Sequence, residues 1–449
     1  MLRPMPPADL PLPVAIMAEV DRVARRPLWP TFEPRQTPVA IVHEAQTFLF
    51  RHPAPPPGFQ PWPGFPGRTE RCAVSVFQGD HPALRANTSL LLEGVPTAVL
   101  IVETPSRQST RELAALVIHE AFHVYQRAHH PAWQGNEAEL FLYPFQDAPA
   151  LHLRRLETAA LRRALASRRL DELAHHAGTA IALRQERFAR LLPGAVAYER
   201  GSELNEGLAQ YVQDKALGRA AGSALLALPA QDFAVEEVRR RCYATGRAMA
   251  SLLDRLSDAW PRQLEDGAAP SLDELLALVL PSTAAGGEAV SAAVRRAELA
   301  RAEREVETLL VQRAAARSAY LGRAGWTLVV RAAESAPLWP QAFDPMNVRH
   351  LGHGEVMHTR WLKLASHCGT LEVLGRAALT AAAGSHPLFG GVRTLTLTGF
   401  EAEPVVAWRE DELRVSAAGF RAQLRGALLR RDGQRLCLNL RPQPAAPDR

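Results

Sequence analysis

The run His119-Glu120-Ala121-Phe122-His123 constrains this chain more tightly than any other stretch. Ser109 with Glu112 three positions later is a capping-box start, and Leu113, Leu116 and Val117 recur at helical spacing. A helix over residues 110–129 is therefore predicted. Residues four apart on a helix stack on one face, one turn above the other. His119 and His123 then aim two imidazoles at one point, where both can reach a single metal ion, and Glu120 leans toward the same cleft. A carboxylate in that position can take a proton from water that a metal has made acidic.

A catalytic zinc site needs three protein ligands and one open coordination position. The strongest source of a third ligand is Tyr198-Glu199-Arg200-Gly201-Ser202-Glu203-Leu204-Asn205-Glu206-Gly207-Leu208-Ala209-Gln210-Tyr211. Glu199, Glu203 and Glu206 recur at i, i+4 and i+7, which puts three carboxylates on one face of a regular helix. A solvated acidic stripe is the plain reading of such a pattern. These carboxylates, however, lie among Leu204, Leu208 and Val212, and a carboxylate beside apolar neighbours requires a partner such as a metal or an arginine.

HEAFH followed by LNEGLAQY resembles the gluzincin metallopeptidases, the thermolysin and aminopeptidase-N-like superfamily that holds zinc with two His and one Glu. In its aminopeptidase branch the acid of an NEG-type motif is the third ligand, which implies Glu206 here. Tyr243-Ala244-Thr245-Gly246-Arg247 is similar to a helix start in the aminopeptidase-N-like and glycyl-aminopeptidase families. Its tyrosine steadies the oxyanion there, which implies that role for Tyr243. The resemblance covers roughly residues 95–260 and implies Zn2+ as cofactor, Glu120 as general base and a peptide or protein as substrate. The sequence departs from the family in two ways. The chain between His123 and Glu206 is long enough to hold two further helices, so Glu203 and Glu157 stay open as alternative ligands. No GAMEN-type exopeptidase sequence lies upstream; Glu93 in Leu92-Glu93-Gly94-Val95 sits at a comparable distance with little else in common. An aminopeptidase assignment is therefore not implied.

A chain of 449 residues should hold more than one hydrophobic core. The expected fold class is α+β: a predominantly helical zincin-like catalytic domain with an upstream β-sheet, plus a small β-rich C-terminal domain. The expected divisions are 1–94, Pro-rich with β structure; 95–284, catalytic; 285–322, a long connecting helix; and 323–449, β-rich. Upstream, Val14–Arg25 reads as a helix, and Pro38–Arg51, Cys72–Phe77 and Pro96–Glu103 read as strands, with Thr97–Glu103 either pairing with substrate backbone or forming a plain core strand. Helices are expected at 149–168, 170–192, 199–217, 234–258 and 271–280, with Arg154, Arg155, Arg162 and Arg163 on a solvated face. The Gly/Ala/Ser stretch Pro281–Gly287 precedes the long helix. After Gly325, Thr327–Arg331, Thr370–Leu374, Val392–Thr398 and Phe420–Leu440 read as β structure.

Several histidines lead nowhere. His43-Glu44-Ala45-Gln46-Thr47 begins like the zinc motif but lacks the second His. The pairs His129-His130 and His175-His176 are adjacent and so do not share a helix face. His350, His353, His358 and His367 match no simple zinc spacing. A net charge of +5 is too small to point to nucleic acid, and no stretch is long and apolar enough to span a membrane. Cys72, Cys242, Cys368 and Cys437 lie far apart, without a CxxC pair, and read as reduced thiols of a cytoplasmic protein. Oligomeric state is not legible. The expected activity is zinc-dependent peptide hydrolysis. The alternatives are a non-catalytic zinc-binding or partner-binding protein on a peptidase fold, or a zinc amidohydrolase acting on a non-peptide amide.

Overall fold

The computed structural model describes residues 11–62, 74–219, 222–281, 290–344 and 347–442. The expected Pro281–Gly287 linker lies outside them beyond Pro281, as does the start of the Cys72–Phe77 strand. The chain is mixed α+β and forms two compact units. Unit 1 comprises Met1–Gly135 and Pro149–Glu298; unit 2 comprises Asn136–Ala148 and Leu299–Arg449.

Unit 1 begins with α1 (Leu12–Val23) and a sheet of six strands. They are β1 (Val39–His43), β2 (Gln46–Phe50), β3 (Gln60–Pro61), β4 (Val74–Gln78), β5 (Thr88–Leu92) and β6 (Val95–Ile101), in the order β3-β4-β2-β1-β6-β5. Strand side chains alternate between faces. Val39, Ile41, Phe48 and Phe50 join the main core with α1, while Ala40, Val42, Leu49 and Val99 build a small cluster on the other face. The motif-like His43–Gln46 run is the β1–β2 hairpin, with Glu44 and Ala45 at positive φ (49° and 54°). The backbone there is a tight turn, so no helix can present those side chains.

The strand read as either substrate-pairing or plain core, β6, is interior: it pairs parallel with β1 and antiparallel with β5. Both of its backbone edges are taken, so of the two readings it is the plain core strand. Among the described residues the outer strands of this sheet are β3 and β5, and the Thr-Ser-Leu-Leu-Leu run of β5 is too short and too little alternating to stand out in sequence.

The chain then turns helical: α2 (Thr110–His129), α3 (Glu137–Leu140, in unit 2), α4 (Ala148–Ala166), α5 (Leu170–Phe188), α6 (Pro193–Ser202), α7 (Leu208–Leu217), α8 (Gly222–Ala227), α9 (Val238–Leu256), α10 (Trp260–Glu265), α11 (Leu272–Val279) and α12 (Ala292–Leu321). The Ser109–Glu112 capping box is formed in both directions and starts α2 where the sequence places it. The solvated face expected on α4 is wrong for two of its arginines. Arg154 and Arg155 are 3% and 5% exposed, and Arg154 is held by Asp232 and by the carbonyls of Phe233, Ala234 and Val235. A guanidinium has five donors, so a turn of carbonyls plus one carboxylate can satisfy it in the interior.

Unit 2 is built on β strands. One sheet runs β18-β19-β7-β14-β13-β10-β9 and the other β15-β16-β17-β12-β11-β8. These are β7 (Trp326–Arg331), β8 (Trp339–Phe343), β9 (Val348–Gly352), β10 (Glu355–His358), β11 (Trp361–Ser366), β12 (Gly369–Leu374), β13 (Ala378–Ala382), β14 (Val392–Phe400), β15 (Val405–Arg409), β16 (Glu412–Ala417), β17 (Phe420–Arg425), β18 (Ala427–Asp432) and β19 (Arg435–Leu440). Inward residues of both sheets, among them Leu328, Val330, Leu371, Val373, Leu395, Leu424 and Leu438, make one apolar core. Among the described residues, no helix is long and apolar enough to cross a membrane.

Candidate metal centre

Three elements of unit 1 build the site. Helix α2 supplies His119, Glu120 and His123, which are 7%, 9% and 8% exposed. The second element is a π turn, Glu203–Gly207, lying between α6 and α7. A π turn takes up one more residue per hydrogen-bonded ring than an α-helix and so rotates the residues beyond it. The expected single stripe of three carboxylates is split as a result.

Glu199 and Glu203 face inward to arginines, whereas Glu206 faces the histidines. The Arg187 guanidinium grips Glu199 at 2.5 and 2.8 Å, and Arg184 grips Glu203 at 2.7 and 2.6 Å. Glu157 bonds Arg184, Arg187 and Arg241, each at 2.8 Å. All six side chains of this ion cluster are at most 1% exposed. Both alternative ligands, Glu203 and Glu157, are thus engaged away from the histidines.

Glu206 Oε2 lies 3.8 Å from His119 Nε2 and 3.5 Å from His123 Nε2, and the two Nε2 atoms are 3.1 Å apart. Among the described residues this is the one group of three or more His, Cys, Asp or Glu whose ligand atoms converge, all within 4.8 Å. For tetrahedral zinc with bonds of about 2.0–2.1 Å, neighbouring ligand atoms should be about 3.3 Å apart. The three separations bracket that value, and two imidazoles with one carboxylate are a donor set that zinc accepts. The residues present fit the ion.

Helix α9 is the third element. Its Tyr243 hydroxyl accepts from Arg239 Nε at 3.2 Å, and the charge of Glu206 acts on the phenol. The approach depends on two glycines. A Cβ on Gly246 would lie 2.5 Å from the Glu203 carbonyl oxygen, and one on Gly207 would lie 2.6 Å from Gly246 Cα. Backbones meet there directly, so only hydrogen fits.

Burial shapes the charge states. It depresses His119 to about 3, the positive neighbour His123 acting in the same direction. Desolvation pushes Glu120 up to about 7, with Glu206 adding to the rise and His123 and Arg127 opposing it. Burial also works to raise Glu206, but the nearby imidazoles of His123 and then His119 outweigh it and hold the carboxyl at about 2. The site therefore pairs an ionised carboxylate facing the imidazoles with a carboxyl poised near neutrality, the division a general base needs.

Sequence reasoning missed Gln126, Arg239 and the arginine cluster. Gln126 sits one turn beyond His123, a spacing that could have marked it as a partner of that ring. The remaining candidate histidines do not assemble. His350 is half-buried, and desolvation depresses it to about 4; His358 bonds Thr380 at 3.2 Å, and His367 approaches Cys368 at 3.2 Å. His130 bonds Glu265 at 2.8 Å. Compared with known proteins, the chain matches no family model, no curated protein and no solved structure.

Proposed function

We propose that the chain is a zinc-dependent peptidase of gluzincin type, with His119, His123 and Glu206 as ligands and unit 1 as a zincin-like catalytic unit. The convergence of those three side chains from two separate elements carries the reading. A zinc ion held by His119, His123 and Glu206 would supply a Lewis acid and would lower the pKa of water toward neutrality. Glu120 would take a proton from the attacking water at its carboxylate and pass it to the leaving amine. Tyr243 is un-ionised at neutral pH, since burial pushes its phenol above the usual range. It can donate to the oxygen on which negative charge develops. The substrate in this reading is a peptide or protein. The free, buried Cys242, Cys368 and Cys437 suit a reducing compartment, which supports the cytoplasm as its place of action.

The test is zinc stoichiometry on the purified protein, followed by digestion of a broad peptide library. One zinc per chain with specific cleavage is expected, and Glu120→Gln should keep the zinc and lose the cleavage. Zinc without cleavage of any peptide would overturn the peptidase assignment in favour of a binding role or a non-peptide amide. Cleavage persisting in Glu120→Gln would overturn the mechanism.

A further inference from the structure

Gln126 lies one turn beyond His123 on α2, is 1% exposed, and has no part in the hydrolytic chemistry. Its Nε2 is 2.9 Å from the Leu204 carbonyl and 2.9 Å from the Asn205 carbonyl, both in the π turn. Carbonyls only accept, so the amide nitrogen must face them and donate both of its hydrogens. The amide oxygen is then committed to the other side, where it lies 2.9 Å from His123 Nδ1. That oxygen also only accepts. His123 must therefore carry a hydrogen on Nδ1, which leaves Nε2 as the nitrogen whose lone pair can go to a metal. Nε2 is the atom that faces Glu206 and His119.

We propose that Gln126 is the positioning residue of the metal centre, setting the tautomer of His123 and holding the Glu206 turn in register with α2. The proposal rests on the zinc reading of the site. One amide spans the two elements that carry the ligands, and each of its polar atoms has a single available role. A ligand set drawn from two elements loses affinity when either slips, and such outer partners typically contribute 10- to 100-fold in metal affinity. The network is closed on both sides: swapping the amide ends would set two acceptors against each other at the π turn and leave His123 facing a donor.

The test measures zinc affinity of the full chain by competition with a chromogenic chelator, alongside urea unfolding of the zinc-free forms. Gln126→Met keeps the bulk and removes the hydrogen bonds, and should weaken zinc binding about 10- to 100-fold. Gln126→Glu keeps an oxygen for His123 but turns the other toward the two carbonyls, and should weaken binding by a smaller factor. A folded Gln126→Met protein with wild-type zinc affinity overturns the proposal even if its zinc-free form is less stable, because a mere brace moves stability alone. Should neither variant fold, nitrogen NMR of histidine-labelled wild type decides. A protonated Nδ1 on His123 supports the proposal, and a bare Nδ1 overturns it. Wild-type protein that takes up no zinc would refute the metal centre itself, a result distinct from unaltered affinity in the variants.

Discussion

Glu203 and Glu206 are three residues apart, yet the structure assigns them opposite duties, and replacing each by glutamine separates those duties. Glu203 is fully buried, gripped by both terminal nitrogens of Arg184 and by the Thr245 hydroxyl at 2.6 Å. Removing its charge leaves Arg184 with Glu157 as its one remaining close carboxylate, the Asp273 oxygen being 4.0 Å away. Breaking one partner of a buried pair costs about 3–5 kcal/mol, because the other charge stays desolvated. With a urea dependence of about 3 kcal/mol/M, the unfolding midpoint should fall by about 1–2 M. Glu206 is 20% exposed at its side chain, and its partners are imidazoles that can release their protons. Glu206→Gln should therefore cost less stability than Glu203→Gln while abolishing tight zinc binding. Urea unfolding followed by tryptophan fluorescence, with zinc affinity measured in parallel under native conditions, reads both effects. Loss of zinc affinity in Glu203→Gln with an unmoved midpoint would refute the reasoning, as would tight zinc binding in Glu206→Gln.

The same geometry sets three other outcomes. Gly246→Ala must push α9 away from the π turn, costing about 1–3 kcal/mol and weakening zinc binding, as unfolding and metal titration will show. Tyr243→Phe should lower kcat about 10²- to 10³-fold; steady-state kinetics on any cleaved peptide check this. Burial alone would raise the Glu199 carboxyl, but Arg187 and then Arg241 override it and bring it to about 2 from 4.5. Its folded pKa lies below the unfolded one, so its stabilisation, on the order of 3 kcal/mol, is complete above pH 4.5 and fades as pH falls toward 2. Glu199→Gln should accordingly flatten the acid limb of the stability profile, measured by urea unfolding between pH 2 and 6.

Much of the helical order was legible because its signals are local. The Ser109–Glu112 box starts α2 at Thr110, and the apolar repeat carries it to His129. The division between a helical region and a β-rich C-terminal part rested on a change of period after Gly325. Phe420–Leu440 is three strands, β17, β18 and β19, separated at Gly426 and Gly433, both at positive φ. Less was legible where one element's meaning depends on another. The outer strand β5 was missed, and the sequence left β6 between a substrate-pairing strand and a plain core strand, because strand order in a sheet is a non-local property. The arginines of α4 read as solvated because charge normally marks a surface, and no local pattern reveals the carbonyls and Asp232 that receive Arg154.

What the sequence determined by itself is the geometry internal to one helix: His119 and His123 must share a face of α2 because four residues make about one turn. What only the tertiary structure decided is which acid meets them. Glu199, Glu203 and Glu206 are equivalent on a regular helix. The π turn rotates Glu206 away from the other two, the glycine crossing at Gly207 and Gly246 lets α9 approach, and three buried arginines claim Glu157, Glu199 and Glu203. The physical reason is competition for partners. A buried carboxylate must be paired, and the distribution of Arg184, Arg187 and Arg241 through the fold leaves Glu206 to the histidines.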